Sequence, residues 1–98
     1  MSNKIVVQFS VSNMSVMEDT LKRLGHAYVK DGSNLKINRP YYPISINSNE
    51  ISCDSMNKSE VNVLIYEYQR DFYIKERIVR GESYEVTETN NEIIITVT

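Results

Sequence analysis

From Ser59 to about Arg80 the chain runs without a Gly or a Pro, and Val61, Leu64, Ile65, Tyr68, Phe72 and Val79 recur at helical spacing. Residues three and four apart share one face of a helix, so these positions predict one long amphipathic helix. Tyr66, Tyr73, Ile74 and Ile78 widen the stripe, so two surfaces can be covered. Arg77 and Arg80 suit the negative end of the helix dipole, and Gly81 is expected to close the helix. The rest of the 98 residues must supply what this helix packs on.

That remainder alternates. Ile5, Val7, Phe9 and Val11 fall on one face of a strand, with Val6 the exception. A first helix follows. Ser15 and Glu18 have capping-box spacing, Met14, Met17, Leu21 and Leu24 form its apolar stripe, and Gly25 ends it. Residues 27–38 read as a hairpin turning at Asp31-Gly32-Ser33-Asn34. A two-residue loop pairs Tyr28 with Ile37; a three-residue loop pairs Val29 with Ile37. The second is preferred, because it gathers Val29, Leu35 and Ile37 on one face. Residues 44–53 form another hairpin, with Ser48-Asn49 as the loop and Ile46 opposite Ile51. A last hairpin turns at Asn90-Asn91, pairing Val86 with Ile95 and Tyr84 with Val97.

The resulting order is β-α-ββ-ββ-α-ββ in one domain spanning residues 1–98. It predicts an α+β fold: an antiparallel sheet with two helices packed on one face, a ferredoxin-like core with an added hairpin.

Composition narrows the function classes. One Cys and one His exclude a disulfide scaffold and a Cys/His zinc site. A net charge of −2 disfavours a strongly basic nucleic-acid binder. No apolar run approaches the ~20 residues of a membrane span, and no signal peptide is read at the N-terminus, so a cytoplasmic protein is expected. Walker, GxGxxG, HExxH and CxxC motifs do not occur. His26 reads as a surface residue at a helix C-terminus, and Cys53 as a small buried hydrophobe. Glu82, Glu85, Glu88 and Glu92 read as a solvated acidic edge. Neither an enzyme nor a cofactor is expected.

Charge is uneven along the chain. Residues 20–42 carry five basic groups against one acidic; residues 59–98 carry four against eight. Within 28–42, Tyr28, Lys30, Lys36, Arg39, Tyr41 and Tyr42 interleave cations with aromatics. Such a segment can grip phosphates and stack bases, or meet a protein partner. Pro40-Tyr41-Tyr42-Pro43 reads as an ordered interaction loop.

A resemblance adds to this. Leu24-Gly25 ends the first helix, Asp54 closes the central hairpin, Gln69, Phe72 and Tyr73 sit on the long helix, and Gly81 precedes a terminal hairpin. In these points the chain resembles a small uncharacterised domain of cyanobacteria, algal plastids and tailed phages, the hypothetical chloroplast frame family (domain of unknown function twelve-fifty-seven). It departs from that pattern in the middle, where the family's Gly-rich and Trp-bearing stretch is missing. The resemblance implies a single domain and a phage source, and carries over no catalytic residue. The expected function is a phage-encoded, non-catalytic binding module that modulates or inhibits a host protein such as a defence factor, in the host cytoplasm. The alternative is capture of a nucleotide or single-stranded nucleic acid by segment 28–42. A homo-oligomer is also open, through Tyr66, Tyr73 and Ile74 or through the strand ending Ile93-Ile94-Ile95.

Overall fold

A computed structural model describes residues 3–80, 84–89 and 92–97. The elements are β1 (Lys4–Gln8), α1 (Met14–Arg23), β2 (Val29–Asp31), β3 (Asn34–Ile37), β4 (Ile44–Ile46), β5 (Glu50–Asp54), a 3-10 turn at Ser55–Asn57, α2 (Lys58–Arg80), β6 (Tyr84–Thr89) and β7 (Glu92–Val97). The α+β class and the order of elements are as expected. Gly81, Glu82 and the Asn90-Asn91 turn lie outside the described residues, as do the side chains of Ile78, Val79 and the last two strands.

Five strands form one antiparallel sheet in the order β1-β5-β4-β3-β2. β2 to β5 run as a meander, and β1 closes onto β5 after the α1 crossover. β1 and β2 are therefore parallel edges with three strands between them. β6 and β7 pair with each other in a separate two-stranded sheet, in the register read from sequence. The terminal hairpin thus contributes no strand to the main sheet.

Alternation makes the sheet one-sided. Leu35, Ile37, Ile44, Ile46, Ile51 and Cys53 point to one face and are buried. Val16, Met17, Thr20 and Leu21 of α1, with Val61, Leu64 and Tyr68 of α2, cover them. Each fully buried aliphatic side chain contributes about 1.5–3 kcal/mol. Phe9 meets the edge of Tyr68, and Phe72 stacks beside it, at centroid separations of 5.7 and 5.9 Å. Burial pushes the Cys53 thiol up, as a buried hydrophobe requires.

Two local expectations are corrected. First, α1 starts at Met14 and its cap is Asn13. The Asn13 side chain accepts the Val16 N–H at 3.2 Å, and the Asn13 backbone N–H donates to the Tyr68 hydroxyl at 3.1 Å. Asn caps as well as Ser, and Tyr68 holds this one in place. Glu18 is drawn away from the helix end by Tyr28 and Lys30. Second, the β2–β3 hairpin takes the two-residue loop, with Val29 opposite Lys36 and Lys30 opposite Leu35. Gly32 has φ +63°, and such a residue in the first loop position matches the strand twist. The turn outweighs the apolar match, so Val29 is left 68% exposed.

Gly25 does end α1, at φ +81°. The His26 N–H donates to the Leu21 carbonyl and the Gly25 N–H to the Lys22 carbonyl, the paired bonds of a Schellman cap.

Candidate functional site

The segment joining β3 to β4 holds the most unusual backbone among the described residues. Prolines bracket two tyrosines, so only Tyr41 and Tyr42 bring N–H groups between them. The Tyr42 N–H donates to the Pro40 carbonyl at 2.9 Å, and Tyr41 between them has φ +68°. A bond from residue i+2 to i around a positive-φ residue is the rare, strained form of γ-turn. Tyr41 is the one non-Gly residue with positive φ among those described. Its side chain is 72% exposed, so no burial of the ring offsets the strain. Tyr42 is half-buried, and the chain then enters β4 at the fully buried Ile44.

Arg39 anchors the start of this loop. Its Nε donates to Glu60 Oε1 at 2.9 Å, its Nη2 also reaches Glu60, and its Nη1 donates to the Asn38 carbonyl at 2.7 Å. Glu60 stands in the first turn of α2, where an acid is favoured by the dipole. The Arg39 Nη2 also lies 3.4 Å from Nδ1 of His26, the residue that completes the Schellman cap of α1. The guanidinium therefore ties the start of the loop to the first turn of α2 and sits beside the end of α1.

The other candidates sit elsewhere. The Tyr28 hydroxyl donates to Glu18 on α1 at 2.8 Å, and Lys30 Nζ lies 3.4 Å from the same carboxylate. The Tyr28 bond, aided by Lys30, holds the Glu18 carboxyl below its usual range, and that bond raises the Tyr28 phenol. Lys36 lies on the open face of the sheet and pairs with Asp31 at 2.9 Å, which lowers the Asp31 carboxyl. Arg23, also in the basic segment, pairs with Glu67 and Asp71. Four of the five cations of residues 20–42 thus meet a carboxylate, three of them one outside the segment. The positive excess seen in sequence is largely cancelled in space.

Arg39 thus anchors the loop that carries Tyr41 and Tyr42 to α2, whereas Tyr28 and Lys30 meet Glu18 on α1 and Lys36 meets Asp31 across its own hairpin. Sequence reasoning missed Glu60 and Glu18 as their partners. Nothing at a separation of 21 residues links Arg39 to Glu60 before the fold is known. A groove of about 290 Å³ between α1 and α2 is lined by Arg23, Arg70, Asp71 and Lys75, among others, and Asp71 engages both arginines. Among the described residues no group of three or more His, Cys, Asp or Glu could hold a metal ion, and no helix is long and apolar enough to cross a membrane.

No family model matches this chain, and no curated protein or solved structure matches it significantly. The resemblance described above rests on the residues quoted for it.

Proposed function

We propose that this protein is a non-catalytic protein-binding module, and that Tyr41 is its aromatic anchor. The observation that carries the reading is a large ring held out to solvent on a strained turn whose start is anchored by the Arg39–Glu60 pair. Backbone strain of about 1–3 kcal/mol persists only where surrounding structure imposes it, and it clusters at binding sites. A Tyr whose backbone is set before contact has less freedom to lose on binding, and such preorganisation raises affinity. The partner that fits is a protein with an apolar pocket wide enough for one phenol ring. The phage source implied by the resemblance makes host proteins, defence factors first, the partners to screen.

The pairing of Lys30, Lys36 and Arg39 with carboxylates favours this reading over capture of a nucleotide or single-stranded nucleic acid. Phosphates would have to displace Glu18, Asp31 and Glu60 from those cations.

The test uses Tyr41→Gly. Gly adopts positive φ freely, so the variant folds with a stability change within about 1 kcal/mol of zero. A host protein captured by the wild type, identified and purified, should bind the variant at least about tenfold more weakly, the loss of a modest anchor. Equal binding by both would remove Tyr41 from the interface. Thermal stabilisation of the wild type by a nucleotide or oligonucleotide would overturn the reading in favour of ligand capture.

A further inference from the structure

The two edges of the five-stranded sheet differ sharply. β2 is three residues long, and its exposed Lys30 and Asp31 discourage pairing with another strand. β1 is five residues long and reads Lys-Ile-Val-Val-Gln, with its sole charge at one end. Among the described residues no strand pairs with its outer side.

Hydrogen-bond parity shows what that side offers. The Ser55 N–H donates to the Asn3 carbonyl, and the Phe9 N–H to the Asn49 carbonyl, both in the Ile5–Cys53 register. Odd-numbered residues therefore turn their backbone groups to β5, and Lys4, Val6 and Gln8 turn theirs outward. The side chains are unfinished on both faces. Val6 is 49% exposed on the open face of the sheet. Ile5 and Val7, on the core face, are only half-buried at the margin of the apolar layer.

We propose that the occupant of this edge is a second copy of the chain, with β1 pairing antiparallel to β1 about a two-fold axis at Val6. In that register Val6 faces Val6 of the copy and Lys4 faces Gln8 of the copy. Each of these pairs exchanges two backbone bonds, using every outward N–H and C=O of the strand. Ile5 meets Val7 of the copy, so the apolar layer continues across the axis. The lone charge never meets its own kind, because Lys4 of each chain lies at opposite ends of the pair. The product is one continuous sheet of both copies, closed by the two-fold, with no third copy able to add. The Tyr41 loop follows β3, with β4 and β5 between it and β1, so both loops remain free for a partner.

Sedimentation of the untagged protein from about 10 µM to about 1 mM should show its mass rising from 11.4 kDa toward twice that value. A monomer throughout overturns the proposal. Gln8→Glu sets a carboxylate opposite Lys4 twice in the dimer and should tighten it about two- to thirtyfold; Gln8→Lys should weaken it by a similar factor. General charge repulsion acts oppositely, since the chain carries a net −2 and Gln8→Glu adds to it. Dissociation constants that do not move, or move the other way, refute this surface. Amide exchange in the wild type reads the same register without a variant. Lys4, Val6 and Gln8 should slow with concentration while Ile5 and Val7 stay constant; uniform protection of all five would also refute it.

Discussion

Thr20 is fully buried on α1, and its hydroxyl links the two helices. Thr20 Oγ1 lies 2.9 Å from the Val16 carbonyl and 2.8 Å from Asp71 Oδ2 on α2. The hydroxyl has one proton to donate. The Asp71 carboxylate is charged and accepts more strongly than the neutral Val16 carbonyl, so the proton goes to the carboxylate. Thr20→Val keeps the shape and deletes this bond. A hydrogen bond to a charged group is worth about 1.5–3 kcal/mol. Asp71 keeps the Arg23 Nε at 3.1 Å, and its side chain is 18% exposed, so it is not orphaned. The loss therefore falls at the low end, about 1.5–2 kcal/mol. For a domain of this size that lowers Tm by about 6–16 °C. Urea unfolding should show a lower midpoint with an unchanged slope, the mark of a pure stability change. In a cycle with Asp71→Ala the coupling should reach about 1 kcal/mol or more. A cost for Thr20→Val under about 0.5 kcal/mol, or additive single variants, would refute the reasoning.

Gly25→Ala should cost about 1–2 kcal/mol in urea unfolding, because an L-residue at φ +81° is strained although nothing lies within 4 Å of the added methyl. Asn at the same position should recover part of that loss. Glu18 has a lowered carboxyl, so its contribution to stability is present above its ordinary value of 4.5 and is lost as pH falls through the lower folded value. The Tm difference between wild type and Glu18→Gln should therefore shrink on acidification from pH 5 downward; a constant gap would contradict the assignment. The Tyr28 phenol is raised above 10.0, so its contribution is lost only as pH climbs beyond that value. Cys53, buried and with a raised thiol, should resist a thiol reagent at pH 8 and react fully only in denaturant.

Much of the fold is legible because apolar residues alternate on both sides of a tight loop. Ile44, Ile46, Ile51 and Cys53 leave the β4–β5 hairpin only one register that buries all four. The β2–β3 hairpin lacks that redundancy. Val29 is a lone apolar residue on a three-residue strand, and counting it toward the core side selects the wrong loop. The φ of Gly32 decides instead. At α1 two caps compete within three residues, and the winner is set by Tyr68, 55 positions away. The candidate site divides in the same way. Its aromatic loop is visible as two prolines around two tyrosines, whereas the cancellation of its charge depends on acids that only folding brings near.

The pairing of β1 with β5 has a consequence for synthesis on the ribosome. Residues 4–8 leave the exit tunnel well before their backbone partners, residues 50–54. α1 waits longer, since Thr20 must meet Asp71. At about 5–20 residues per second the gap of some fifty residues lasts on the order of 3–10 s. During that time β2 to β4 can form their local hairpins, while Ile5, Val6, Val7 and Phe9 travel as an unmatched apolar strand. The nascent domain is thus most exposed to chaperone capture and misassociation at β1, and release from that state is timed by the arrival of β5.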